Sequence, residues 1–142
     1  MKKLFAIFLV VFALGACSSS DDGNNNSNSQ ITPPAWIQGT WKVDPQDSGA
    51  FKFTNNDFCQ ISSFQHYCWK SAIETANSTS PSEQYKLSVV QEISDSRYLI
   101  IMDSGVQNIR LEFQKISDNK ILWVNSPYNV DELRELAIYT KQ

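Results

Sequence analysis

Residues 108–114 alternate without a fault. Ile109, Leu111 and Phe113 interleave with Arg110, Glu112 and Gln114. A period of two places successive side chains on opposite faces of a pleated strand. Such a segment has one face for a core and one for water, so it must pair with other strands. The same alternation recurs earlier, with Tyr85, Leu87 and Val89 against Lys86, Ser88 and Glu92. Short polar clusters punctuate these runs: Asn55-Asn56-Asp57, Ser94-Asp95-Ser96, Asp103-Ser104-Gly105, Ser117-Asp118-Asn119 and Ser126-Pro127. Short connections favour hairpins, and hairpins build an antiparallel meander. The pattern predicts strands near 40–43, 50–54, 57–61, 85–93, 98–103, 108–116, 121–125 and 136–141. Together they give an all-β fold, an eight-stranded antiparallel up-and-down barrel.

One short helix is expected to interrupt the meander after the third strand. Ser62 or Ser63 can cap it, and Ile61, Phe64, Cys68 and Ala72 then fall at helical spacing. Residues 71–82 read as its polar exit loop. Leu99, Ile100, Ile101 and Met102 are apolar on both faces, which suits a strand covered on its outside as well. The C-terminal segment fits either a helix or a strand. Asn129 and Glu132 have capping-box spacing, yet a barrel needs a last strand to close its edge. One helical turn at 130–134 followed by a strand satisfies both.

The N-terminal residues read as delivery. Lys2 and Lys3 precede an apolar run over 4–14, too short for a bilayer span of about 20 residues. The run ends in Leu14-Gly15-Ala16-Cys17, which is similar to the lipobox of bacterial lipoproteins. That resemblance implies a signal peptide over 1–16 and lipidation of Cys17 by acyl chains such as palmitate. Each buried methylene contributes about 0.8 kcal/mol, so several chains hold the protein on a membrane. Residues 17–32 are dominated by Ser, Asn and Asp and form a tether with nothing to order it. Ser18 after the cysteine permits transport to the outer membrane by the same resemblance. Asp21 and Asp22 resemble an acidic surface-export signal, so both the periplasmic face and the cell surface stay open. Residues 33–142 form the folded domain.

That domain opens with Pro33-Pro34-Ala35-Trp36-Ile37-Gln38-Gly39-Thr40-Trp41. The Gly39-Thr40-Trp41 step at the first strand resembles the start of lipocalins and of lipocalin-like lipoproteins of Bacteroidetes. The resemblance implies a lipocalin-like barrel in which Gly39 permits a tight turn and Trp41 plugs one end. It also implies a cation from the last strand over the indole, and Lys141 is the basic residue that matches. Trp36 fits the turn at the closed end. Trp69 and Trp123 are candidates for core or rim.

Composition narrows the function. Formal charge is −3, and removing Lys2 and Lys3 with the signal takes it to −5. No basic stripe exists to neutralise phosphates, so nucleic acid is not an expected partner. His66 is the only histidine, and no Gly-x-Ser-x-Gly elbow is present. No catalytic set, cofactor or metal is predicted, and the reading is non-enzymatic. Cys59, His66 and Cys68 could form a metal cluster, but such sites usually need a fourth ligand. With Cys17 lipidated, the remaining cysteines pair as a disulfide, Cys59 to Cys68.

The expected inward set is Phe51, Phe53, Tyr85, Leu87, Val89, Ile109, Leu111 and Phe113. Of these, Phe53, Tyr85, Leu87, Val89, Leu111 and Phe113, together with Trp123, are expected to line a ligand site. The phenylalanines fill the end near Trp41, which leaves a shallow pocket at the far end. The 55–57, 103–105 and 126–129 turns are expected at its mouth, with residues 59–72 as a lid. The function predicted is binding of a small apolar or amphipathic molecule by a lipid-anchored envelope protein. The alternative is a protein-interaction or enzyme-inhibitor module acting through barrel-rim loops.

Overall fold

A computed structural model describes residues 30–43 and 49–142. The signal peptide, Cys17 and the tether as far as residue 29 lie outside the described residues. The chain is already packed at Ile31, which is 3% exposed. Thr32 N donates to Gln91 Oε1 at 2.9 Å, and Trp36 Nε1 donates to Ser94 O at 2.8 Å. Pro33 and Pro34 fix the approach, and Ile37 N donates to Pro34 O at 3.1 Å to close a turn. Ile37 thereby points inward, fully buried.

The strands are β1 (Gly39–Lys42), β2 (Ala50–Phe53), β3 (Phe58–Ile61), β4 (His66–Cys68), β5 (Ser88–Ile93), β6 (Arg97–Asp103), β7 (Asn108–Ser117), β8 (Lys120–Trp123) and β9 (Ile138–Lys141). One helix, α1 (Trp69–Thr79), follows β4. The strands form a single antiparallel sheet in the order β4-β3-β2-β1-β9-β8-β7-β6-β5. In a flat sheet, β2 and β7 would stand four strand spacings apart, about 19 Å. The Phe51 ring on β2 instead lies 5.0 Å from the Phe113 ring on β7, and Phe53 lies 6.3 Å from Tyr98 on β6. The sheet therefore curls into a half-barrel around these rings.

The expected eight-stranded closed barrel is corrected in two respects. Among the described residues there are nine strands, and the edges β4 and β5 do not pair, so the barrel is open. The extra strand lies where helical spacing pointed to the start of a helix. Ser62 N donates to Gln65 O at 2.8 Å, and Gln65 N donates to Ser62 Oγ at 3.1 Å. A serine that bonds its own local backbone favours a turn over a helix. The hairpin it closes sets Ile61 opposite His66, Gln60 opposite Tyr67 and Cys59 opposite Cys68. Cys59 and Cys68 are joined as a disulfide, S–S 2.07 Å. The helix comes after the fourth strand, across residues assigned by sequence to an exit loop.

Two side chains hold α1 in place, Asp57 from outside it and Asn77 from its own last turns. Cys68 provides no cap, but Asp57 Oδ1 in the β2–β3 turn accepts from Lys70 N at 2.8 Å. At the other end Asn77 clasps Leu87, accepting from its N at 2.6 Å and donating to its O at 3.0 Å. The helix buries Trp69 and Ile73, and Trp69 stacks on Phe58 with centroids 5.8 Å apart. It thus runs from the end of one edge strand to the start of the other.

Two further boundaries differ. The strand expected from residue 85 begins at Ser88, because Glu83–Tyr85 forms a 3-10 turn. Near the C-terminus the helical turn falls at Arg134–Ala137, not 130–134, and β9 follows as the last strand.

The described connections sort to two ends of the half-barrel. The 30–38 segment and the β2–β3, β5–β6 and β7–β8 turns occupy one end. The β3–β4, β6–β7 and β8–β9 connections occupy the other, together with the approach to β5. Ile31, Ile37 and Trp41 seal the first end as buried residues of the core. The second is the open end. The 55–57 turn lies at the sealed end, away from the 103–105 and 126–129 turns with which it was expected.

Candidate functional site

A cavity of about 410 Å³ lies at the open end, between the β2–β3–β4 side and the β8–β9 side. Ala50 and Phe51 begin β2 there, and Gln60 and Ile61 end β3. Ser62 and Gln65 come from the β3–β4 turn, and Tyr67 comes from β4. Trp123 ends β8, and Tyr139 sits on β9. The hairpin register makes Gln60 and Tyr67 neighbours on one face of the sheet. The same logic places Ile121 beside Tyr139 and Phe113 beside Trp123.

The floor of the cavity is Phe51. Its ring meets Trp123 edge-on at 5.3 Å and 86°, and lies tilted against Tyr139 at 5.0 Å. Edge contacts of this kind satisfy the ring quadrupoles and fix the rings in place. Beneath Phe51 the interior is filled by Phe53, Phe113 and Trp41, all buried. The cavity is therefore shallow, with rigid aromatic walls.

Among the described residues, no charged side chain lines it. Burial pushes the Tyr139 phenol up to about 12, and the neighbouring Tyr128 adds to the effect. Tyr139 is neutral at physiological pH and available as both donor and acceptor. The side-chain amides of Gln60 and Gln65 and the phenols of Tyr67 and Tyr139 make no hydrogen bond among the described residues. Such groups beside aromatic rings suit a ligand that carries both polar groups and an apolar face.

The residues expected to line a ligand site take different positions. Trp123 lines the cavity. Phe53, Val89, Leu111 and Phe113 are buried in the core. Leu87 packs against that core, half-buried. Tyr85, on its 3-10 turn, is 49% exposed and outside the strand it was assigned to. Ile109 faces the same side as Met102 but lies at the strand end, partly exposed. Alternation along β3 and β9 would have identified Gln60 and Tyr139, whereas Tyr67 depends on recognising β4.

At the sealed end Trp41 is fully buried, and its Nε1 donates to Ile37 O at 2.6 Å. Lys141 Nζ lies 5.2 Å from the Trp41 ring centroid. Gly39 has φ +127°, and a Cβ there would meet Lys141 Cε at 2.8 Å. A side chain at Gly39 would thus conflict with both the backbone conformation and the lysine over the indole.

The donor atoms of Cys59, His66 and Cys68 lie within 4.8 Å of one another. Both sulfurs are consumed by the disulfide, so neither is a thiolate able to ligate a metal. His66, placed by sequence on a helix, is an exposed residue of β4.

The apolar residues of the open end are unusually exposed. Phe64, at the tip of the β3–β4 turn, is 100% exposed, and Val106, in the β6–β7 turn, is 83% exposed. Tyr128, Val130 and Leu133 in the β8–β9 connection are also exposed, as is Tyr85 on the approach to β5. Comparison with family models, curated proteins and solved structures gives no match to this chain.

Proposed function

We propose that this is a lipid-anchored protein of the bacterial outer membrane that binds a small amphipathic molecule at the open end of a lipocalin-like half-barrel. The observation that carries the binding reading is the cavity over Phe51. It combines a fixed aromatic floor with neutral polar groups that have no partner within the described residues. A group that remains unpaired in the free protein can bond a ligand without first breaking an internal bond. The lipid anchor rests on the Leu14-Gly15-Ala16-Cys17 sequence. The lipocalin-like reading draws support from Gly39, Trp41 and Lys141, which stand together at the sealed end. A shallow site should bind modestly, with a Kd on the order of micromolar, about 8 kcal/mol. Titration with a panel of amphipathic fluorophores, following Trp123 emission, tests this. A saturable change that Trp123→Phe abolishes is expected. A flat response across the panel would remove the binding reading.

A second reading rests on a separate observation, the exposed apolar side chains of the open-end connections. Several exposed apolar side chains on the connections of one end are suited to an interaction surface, which favours a protein-docking or inhibitor role through the rim. A photo-crosslinker at position 64 should then trap an envelope protein that a crosslinker at position 116 does not.

A further inference from the structure

We infer that the cavity takes a neutral, hydroxyl-bearing ring compound of the class of a saccharide, and not a fatty acid. This inference rests on the small-molecule reading above and names the ligand class for the same site.

Three features of the cavity select that class. The first is its charge. A fatty acid brings a carboxylate, and an ionised group leaving water needs a cation or several donors to offset its desolvation. Among the described residues, no Lys or Arg lines the cavity. Lys141, the inward cation of β9, is engaged over Trp41 at the sealed end.

The second is depth. An alkyl chain needs a long apolar channel. The interior below Phe51 is occupied by buried aromatic side chains, Phe53 and Phe58 stacking at 5.8 Å and Phe53 meeting Phe113 edge-on at 5.2 Å. A chain could enter only by displacing a close-packed core.

The third is the pattern of the lining. A sugar ring presents an apolar C–H face and a girdle of hydroxyls that each donate and accept. Trp123 and Tyr67 offer flat apolar surfaces, and Tyr67 adds its hydroxyl, while the Trp123 Nε1 is engaged with Asn125 Oδ1 at 3.0 Å. Gln60 and Gln65 each offer an amide that donates and accepts, and Tyr139 adds a phenol. The side chains that fix orientation are therefore bifunctional and uncharged, matching hydroxyls in place of phosphate, carboxylate or ammonium. The cavity volume, about 410 Å³, falls within the range of small-molecule sites.

The test uses the full-length lipidated protein in nanodiscs, which avoids sugar-headed detergents. Neutral disaccharides such as maltose, cellobiose and N,N′-diacetylchitobiose are titrated by calorimetry, with palmitate run in parallel. Saturable binding of at least one disaccharide is expected, weakened about tenfold or more by Gln60→Leu. Palmitate should give no saturable heat. Circular dichroism of the Gln60→Leu variant checks that it retains the wild-type fold, and Trp123→Phe serves as a second probe of the same site. Binding of palmitate but of no disaccharide overturns the ligand class while leaving a small-molecule site in place. Binding of neither overturns the cavity as a ligand site as well. Disaccharide binding indifferent to both substitutions places the sugar elsewhere and also overturns the inference.

Discussion

Lys141 and Trp41 are directly opposed across the β9–β1 ladder, and the lysine Nζ lies 5.2 Å from the indole centroid. The contact joins the last strand of the chain to the first and covers the indole with the lysine stem. Gly39 leaves the room for it. Trp41→Ala should lower stability by about 3–5 kcal/mol, the cost of emptying a large buried site. Gly39→Ala should lower it by about 1–3 kcal/mol through its positive φ alone, and should also displace Lys141. Urea unfolding of the two variants measures both. A Trp41→Ala midpoint equal to the parent's would show that the indole is not part of the core.

Helix α1 is held by Asp57 at its start and by Asn77 near its end. Asp57→Ala removes the only side-chain acceptor seen at its first turn among the described residues, and should cost about 1 kcal/mol. Asn77→Ala leaves both backbone groups of Leu87 without that partner. Hydrogen exchange should then accelerate over α1 and residues 80–87 before it does so in β7.

The Cys59–Cys68 disulfide closes a short loop, with a sequence separation of 9. The chain-entropy relation gives roughly 2–3 kcal/mol for a loop of this length. Paired Cys59→Ser and Cys68→Ser changes should reduce stability by that order. Peptide mapping without reduction should recover the two cysteines joined, and free thiols in the native protein would contradict it.

On the outer face of β6 and β7, Glu112 accepts from Arg97 Nε at 2.7 Å and from Arg110 Nη2 at 2.8 Å. Hydrogen bonds from Arg97 and then Arg110 hold its carboxyl below the ordinary value of 4.5. A carboxyl lowered in the folded state binds protons more weakly there than in the unfolded chain. Its stabilisation is complete above the ordinary carboxylate value and is lost as pH falls through the lowered folded value. Thermal midpoints from pH 7 to pH 2 should therefore fall less steeply for Glu112→Gln than for the parent. Parallel curves would show that the guanidinium contacts add nothing.

Cys17 carries the anchoring proposal. Cys17→Ala should release the protein from the membrane fraction or leave it with its leader uncleaved. Partitioning of the variant into detergent as fully as the parent would refute the lipobox reading.

Much of the sheet is legible in single strands. β7 shows itself because its two faces meet different solvents, a core and water, and its side chains record both. β9 is legible from the need to pair the last edge. β4 is not, since it has only three residues and its pattern also fits a helix. What decides there is Ser62 bonding its own turn, an effect local to four residues and invisible to a count of apolar spacing. The lining of the cavity escapes for another reason. Gln60, Tyr67, Trp123 and Tyr139 come from four strands, and only the curl of the sheet brings them together. Inward phenylalanines make a shallow pocket at the far end an expectation of the sequence, but alternation alone does not bring Gln60, Tyr67 and Tyr139 together as its lining.

In an antiparallel sheet of nine strands, the first and last members of the row run in the same direction. β4 and β5 are those members. No change of register can zip them together with antiparallel bonds, so the seam between them is set by parity. What bridges it is α1, which packs Trp69 on Phe58 of β3, buries Ile73 in the core and reaches the approach to β5 through the Asn77 clasp on Leu87. The half-barrel thus behaves like a split ring whose opening is gauged by one helix in place of a ladder. Changing the size of the side chain at Ile73 should widen or narrow that ring without severing a single inter-strand hydrogen bond. Its girth is open to adjustment in a way that a closed barrel of fixed strand number and shear does not permit.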